Sequence, residues 1–553
     1  MAKGLERESR RPLVLRHAYQ SETRRYTPRR PERTLLYRVV SENLEPLLRT
    51  AREQNEAGIG LPKYVEQEFR EYLRCGIPCN GFTRLACQVC GRTLFLSFSC
   101  KRRGCCSSCA ARRMCNTAAV VVDRVFPDVP VRQWVLSTPF ELRLLLARDA
   151  DAFGELTRIF MQEVLARHRR NAAKLGLSGT QGGALVFQHR FGGSLNLNTH
   201  LHAVVADGVF QRTEATDRAQ HATFQPLPSP EPVELIAVAF NVYRRFTRWL
   251  KDKGLIGLAE ADDAFDKEDS LASCFRGCLG IGRVVEITVE GYIQVTKEDQ
   301  DAQRFALSRS PHMGEFGGFS IHAGVTVHAA DRDGRERLLR YCARPALSME
   351  RISETREGLI AYRLRHVQKG RATHRVMTPV EFLARISAVI PPPRHPLVRY
   401  FGVFGPNCSW RKLCVPQAIR EVQHQTTASN ASGVQVPTGA GATDAILPAT
   451  GKHASVPHPS DIRGFVGPST TSTSGTETST GASRNASSRW RLDWATLLKR
   501  TYDLDVLSCP CGGRLKAIEL VTESERAKEL LEQFGLPTKS PPIARARLPD
   551  WDC

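Results

Sequence analysis

Apolar residues between Leu35 and about Leu73 recur with helical spacing. Val65, Phe69, Tyr72 and Leu73 fall at i, i+4, i+7 and i+8, one face of a helix that follows Gly60-Leu61-Pro62. A further helix is expected from Arg112 to Val125, ending before Pro127, and amphipathic helical stretches cover about 151–172 and 232–252. A strand-like run extends from Leu185 to Phe210, with further strands expected at 282–296 and 318–329. Within the first run the alternation is strict. Asn196, Asn198, His200 and His202 share one face, and Leu195, Leu197, Leu201 and Ala203 the other. Asp207-Gly208 then supplies a hairpin turn. Asp333 to Ala343 reads as a helix with Leu338, Leu339 and Cys342 inward, ended by Pro345. Residues 424–488 are Ser, Thr, Gly, Ala and Pro with almost no periodicity, which predicts a disordered linker before a short globular tail from Trp490. These elements together predict an α/β (α+β) chain.

Charge adds a partner. The net charge is +21 and the sequence pI about 9.5, a surplus that points to a polyanion, with nucleic acid the usual one. Residues 1–35 carry ten Lys/Arg against four Glu, a basic arm that orders on a partner. The longest apolar stretch, Leu235 to Tyr243, is far short of a membrane span, and the arginine-rich start lacks a secretory signal. A soluble, cytoplasmic protein is expected.

Cysteine usage adds a metal. Nine of the 17 cysteines fall between Cys75 and Cys115, which in a reducing compartment indicates a metal site rather than disulfides. Two Cys-x-x-Cys knuckles, Cys87/Cys90 and Cys106/Cys109, are separated by 15 residues and match one tetrahedral Zn²⁺ site. Cys75, Cys79 and Cys100 are left for a second ion or as buried thiols. Lys101, Arg102, Arg103, Arg112 and Arg113 flank the last knuckle without a carboxylate among them, a surface suited to phosphate contact.

His200 and His202 project side by side from a strand whose other face is core. That geometry can hold one divalent ion and leave positions open for phosphate oxygens, whereas a solvated polar face would leave both histidines idle. Tyr341 and Arg344 are three apart on the helix ending at Pro345, hence neighbours on one face. Tyrosine is a weak nucleophile at neutral pH, so attack on a phosphate requires a metal that polarises the phosphate and an adjacent cation. The bland alternative is a packing tyrosine on an amphipathic helix.

The order of cysteine block, His-hydrophobic-His strand and tyrosine helix resembles the rolling-circle insertion-sequence transposases of the IS91-like family. These include the related transposases of insertion-sequence common regions. The matching segments are GLPKYVEQEFREYLRCG (60–76), SFSCKRRGCCSSCAARRM (97–114), RQWVLSTPFELRLLLARD (132–149) and RFGGSLNLNTHLHAVVADGVF (190–210). They continue with GGFSIHAGVTV (317–327), RLLRYCARPALSMERI (337–352), LVRYFGVFGPNCSWR (397–411) and CPCGGRLKAIELV (509–521).

The resemblance implies an HUH endonuclease, with an antiparallel HUH/Rep-like sheet and helices behind a zinc-binding region. Such an enzyme nicks single-stranded DNA at element ends through a 5′-phosphotyrosine. By correspondence, His200 and His202 hold catalytic Mg²⁺ or Mn²⁺, Tyr341 is the nucleophile, and Arg344 stands where many HUH enzymes have lysine. Some relatives carry two tyrosines four apart; Pro345 occupies that place here, which implies a single-tyrosine member. A third metal ligand is expected, with His322 preferred over His189 and Glu350. His189 departs from the glutamine expected before Arg-Phe-Gly, Cys105 stands where an aromatic or apolar residue is usual, and Cys509-Pro-Cys511 is a contracted knuckle.

The implied organisation is a basic arm (1–35), a zinc-binding DNA-recognition domain (36–116), an HUH catalytic domain (117–422), the linker (423–489) and a small C-terminal region (490–553). The expected partners are single-stranded element ends and target DNA, and the host replication machinery, in the bacterial nucleoid. Two rivals remain: a zinc-dependent DNA-binding protein without catalysis, and a carboxylate-triad transposase, which needs no tyrosine nucleophile.

Overall fold

The computed structural model describes residues 26, 28–55, 57–214, 220–255, 271, 274, 284–287, 293–295, 311–364, 373–416 and 492–545. Most of the expected basic arm and the whole 423–489 linker lie outside the described residues.

Six strands form the central sheet, in the order Met313–Phe316, Phe319–Val327, Val131–Ser137, Leu197–Ala206, Gly183–Phe191 and Val398–Gly402. Every neighbouring pair is antiparallel. Side chains alternate across this sheet, so its two faces carry two cores. Trp134, Leu136, Val186, Leu201, Ala203, Phe319 and Ile321 pack beneath helices Ala150–Lys174 and Pro232–Asp252. On the opposite face, Val131, Leu185, Phe187 and Val204 meet Ala118, Val121 and Val122 of helix Ser107–Arg124. They also meet Leu338, Leu339 and Cys342 of helix Arg332–Cys342.

The helices begin where local chemistry satisfies their first amides. The Asp149 carboxylate accepts from the backbone N–H groups of Asp151 and Ala152, and Glu231 and Glu234 form a capping box ahead of Pro232. Asp331 caps the tyrosine-bearing helix by accepting from the Gly334 N–H. A Cβ on Gly334 would sit 2.1 Å from the Asp331 carboxylate, so only glycine permits this cap. Arg167, 2% exposed, is neutralised by Glu234 at 2.7 Å and ties the two long helices together.

The helical spacing read around 35–73 resolves into helices Leu35–Glu53 and Lys63–Arg74, with Val65, Phe69, Tyr72 and Leu73 buried. The mixture of helices and antiparallel sheets is the expected fold class. Three details differ from expectation. Asp207-Gly208 is not a hairpin turn: Leu197–Ala206 stays in the central sheet, whereas Gly208–Glu214 pairs with Gln220–Pro226 in a separate one. The Asp207 carboxylate instead accepts both arms of the Arg132 guanidinium at 2.8 Å, which turns the chain out of the sheet. Helix Ser107–Arg124 runs unbroken across the boundary drawn between residues 116 and 117. The tail is not a separate region either, because Leu515–Val521 adds as a third strand to the hairpin Phe82–Cys87 and Thr93–Ser97. Among the described residues no helix is long and apolar enough to cross a membrane.

His168 is fully buried and donates from Nδ1 to the Val164 carbonyl at 2.8 Å. Burial pushes its imidazole down to about 4. An unfolded chain takes up that proton near pH 6.5, so the native state is at a disadvantage below it. Stability should therefore be intact above pH 6.5 and fall as pH drops toward 4, with His168 accounting for on the order of 3 kcal/mol. Urea titrations across this range should show the acid loss flattened in His168→Gln; an unchanged slope would exclude His168 as a source.

Candidate functional site

The register between the two inner strands gathers three histidines. His189 lies opposite His200, and Phe187 opposite His202, on the face that also carries Val204. The ring centroids stand 4.8–5.0 Å apart, and the potential ligand nitrogens all lie within 4.8 Å of one another. Each ring is oriented through its other nitrogen. His189 Nε2 donates to the Cys342 carbonyl at 2.6 Å, His200 Nδ1 donates to the Asn198 carbonyl at 2.8 Å, and His202 Nδ1 meets the Gln133 amide at 2.9 Å. Such outer partners fix tautomer and ring angle in metal sites.

His189 Nδ1 and His202 Nε2 are buried with no hydrogen-bond partner. Two orphaned imidazole nitrogens facing one point fit a metal ion, because otherwise each carries an uncompensated desolvation cost. Burial holds all three imidazoles below their ordinary value, His200 at about 4, so the rings are uncharged at neutral pH.

The third member is His189, not His322. His322 also points to this face, but its strand lies beyond Val131–Ser137, with His322 opposite Val135 and Val135 opposite His202. Two strand spacings, about 10 Å, separate it from the group. Glu350 is exposed in the turn Met349–Arg351 and is not a member either.

Tyr341 sits at the edge of this group. Its ring centroid is 5.5 Å from that of His202, and it is 45% exposed, open to an approaching strand. The Arg344 guanidinium carbon lies 4.6 Å over the same ring. The contact between His189 and the Cys342 carbonyl ties the end of the tyrosine helix to the histidine strands. Tyr362, by contrast, is fully buried under Arg351.

The cysteines assemble differently from the expected single site. Cys75, Cys100, Cys106 and Cys109 form one group, and Cys87, Cys90, Cys509 and Cys511 another. Cys87/Cys90 and Cys106/Cys109 therefore do not share an ion. Cys87 ends a strand of the hairpin, whereas Cys106 and Cys109 open helix Ser107–Arg124 beside Cys75, and neither pair approaches the other. In the first group the sulfurs are 3.5–3.7 Å apart. A tetrahedral zinc with Zn–S bonds near 2.3 Å requires edges of about 3.8 Å. Mutual hydrogen bonding holds Cys75 well below the ordinary thiol value and lowers Cys109 to about 7. Cys105 is fully buried in the adjoining apolar core and Cys79 lies beside Ser540, so neither belongs to a group.

Residues 47–138 match the family model described as "Transposase zinc-binding domain", and residues 183–411 match that described as "Putative transposase". Together the two matches support an IS91-like transposase. No curated protein and no solved structure matches it. A transposase is a DNA-processing enzyme, and the zinc-binding match lies over the first cysteine group, so DNA is its partner and zinc its structural metal.

The basic residues of the transposase around the last knuckle divide by orientation. Lys101 and Arg112 are exposed and Arg102 half-buried. Arg113 donates to the Lys101 carbonyl at 2.7 Å, closing the loop. Arg103 turns inward: its guanidinium donates to the carbonyls of His395 at 2.6 Å and Pro392 at 2.5 Å, and its backbone N–H donates to Glu68. It buttresses the zinc loop, with its guanidinium engaged by two backbone carbonyls.

The signals for His189 and the tail cysteines were present but incomplete. The histidine in place of an expected glutamine marked His189, and Gly512-Gly513 after Cys511 marked a knuckle turn despite its short spacing. Arg103→Ala should lower stability by about 1–2 kcal/mol, as loss of a guanidinium bonded to two partly buried carbonyls does. Arg102→Ala should stay within about 0.5 kcal/mol of wild type. Equal denaturation midpoints for the two variants would contradict this division.

Proposed function

We propose that the transposase nicks single-stranded DNA at its element ends by a rolling-circle HUH mechanism, with Tyr341 as nucleophile. What carries this reading is the Tyr341 ring against His202, beside imidazole nitrogens that are buried and unpaired. His189, His200 and His202 would hold a divalent ion, Mg²⁺ or Mn²⁺. A bound ion there supplies Lewis-acid polarisation of the scissile phosphate. Imidazole donors without a carboxylate serve Mn²⁺ better than Mg²⁺.

The phenolic oxygen of Tyr341 attacks phosphorus, forming a phosphotyrosine bond to the 5′ end as the bond to the 3′ oxygen breaks. The phenolic proton passes to solvent and the departing oxygen becomes a 3′-OH, able to prime replication by the host machinery. Arg344 steadies the charge that develops on the phosphoryl oxygens and orients the ring it covers. Tyr341 is exposed, so a single strand reaches it without unfolding of the helix. Lys101, Arg102 and Arg112 would grip phosphates beside the zinc module on a loop that Arg113 closes, in keeping with a basic chain that would act in the nucleoid.

Oligonucleotides spanning the element ends test the chemistry. Wild type with added divalent metal should leave its polypeptide joined to the 5′ end of the downstream fragment, and EDTA should abolish the product. Tyr341→Phe should bind DNA normally and form no adduct. His200→Ala with His202→Ala should cut at least 100-fold less, consistent with the loss of metal ligands. An adduct that survives in Tyr341→Phe removes the nucleophile role from Tyr341. Metal-dependent cleavage with no adduct at all would favour a carboxylate-triad enzyme, and DNA binding without cleavage a non-catalytic one.

Single-strand affinity should also fall with salt at a log–log slope of about −0.7 per phosphate neutralised. Lys101→Ala with Arg102→Ala should flatten that slope by more than one unit. An unchanged slope moves the DNA surface elsewhere.

A further inference from the structure

Cys87 and Cys90 meet Cys509 and Cys511 although more than 400 residues of chain lie between them. The sulfurs of Cys87 and Cys511 are 3.5 Å apart and those of Cys90 and Cys509 3.6 Å, again the edge length of a zinc tetrahedron. Both halves have knuckle geometry. The Gly91 N–H donates to the Cys87 carbonyl at 2.9 Å and the Gly512 N–H to the Cys509 carbonyl at 3.0 Å, with φ of +71° and +84° at the two glycines. Backbone N–H groups of Cys90 and Val89 turn toward the Cys87 sulfur. Gly513 supplies a separate indication. A Cβ there would lie 2.8 Å from the Cys87 sulfur and 2.9 Å from Val89, so the second knuckle is shaped to seat against the first. The contracted spacing Cys509-Pro-Cys511 does not prevent this, because the two thiols face different partners across the group.

We propose that a second zinc ion is held by Cys87, Cys90, Cys509 and Cys511 and clasps the C-terminal segment onto the N-terminal zinc module. The surroundings act with it. Leu515–Val521 pairs along Phe82–Cys87, and Val521, Ala527, Leu530 and Leu531 close an apolar core over Phe82. At its other end, the same segment carries helix Trp494–Tyr502. From it Arg500 bridges Asp123 of helix Ser107–Arg124 and Glu336 of the tyrosine helix, at 2.6 Å to each. The clasp thus anchors a strap that reaches the helix bearing Tyr341. The inference does not depend on the chemistry proposed for that tyrosine.

Zinc content and backbone protection of the full-length protein test it. Cys509→Ser with Cys511→Ser should lower the zinc count of the native protein by one relative to wild type. Amides of Leu515–Val521 should then exchange at least 100-fold faster, while the group at Cys75, Cys100, Cys106 and Cys109 keeps its ion. Cys90 and Cys511 are exposed, so a soluble chelator should also take this zinc first from wild type. An unchanged zinc count in the variant, or a lost zinc with protection of Leu515–Val521 intact, overturns the clasp. Should the variant fail to fold, Co²⁺ replacement in wild type decides. Thiolate-to-cobalt charge transfer should saturate at two equivalents, and saturation at one refutes the second site.

Discussion

Pairing of Gly183–Phe191 with Leu197–Ala206 is the constraint on which the histidine group depends. Residues directly opposite in an antiparallel pair share a face, so His189 joins His200 and His202 only in this register. A slip of one residue would send His189 to the face covered by the two long helices. The register is held by burial on both sides: Val186, Leu201 and Ala203 in one core, Leu185, Phe187 and Val204 in the other. The same burial strips water from the imidazoles, keeps them neutral and leaves one nitrogen each of His189 and His202 without a partner.

The tyrosine is brought to that group by packing on the opposite side of its helix. Leu338, Leu339 and Cys342 are inward, so Tyr341, one residue before Cys342, projects at the rim. Arg335, 2% exposed, anchors the start of the helix on Asp128, and Arg500 holds Glu336. A helix fixed at so many points keeps its exposed ring in one place, as the nucleophile role proposed for it would require.

Much of this was legible in the chain. The i, i+4, i+7 spacing of Val65, Phe69 and Tyr72 reports burial directly, and period-two alternation marks the strand Leu197–Ala206, although both of its faces are buried. The resemblance to IS91-like transposases rested on motifs that the family matches cover in large part. What spacing could not convey was which strands lie side by side. Before the strand order is known His322 ranks ahead of His189, and sheet order alone reverses them. The cysteines failed for a related reason: two adjacent knuckles satisfy a zinc count, and nothing local reveals that a third returns from the tail. A basic flank likewise says nothing of the carbonyls at Pro392 and His395 that Arg103 meets.

The contact between Cys87 and Cys511 also bears on how the chain comes together. It closes a loop of 424 residues, at an entropic cost of about 5 kcal/mol from length alone. During synthesis the first knuckle exists long before its counterpart: at ordinary elongation rates roughly 20–80 s pass while the intervening chain is made. For that interval the strand Phe82–Cys87 keeps one edge unpaired, and Phe82 lacks the cover of Leu530 and Leu531. The hairpin is a half-built sheet with a template edge, prone to pairing with another nascent chain. The last segment to emerge is therefore the one that seals the first module to form.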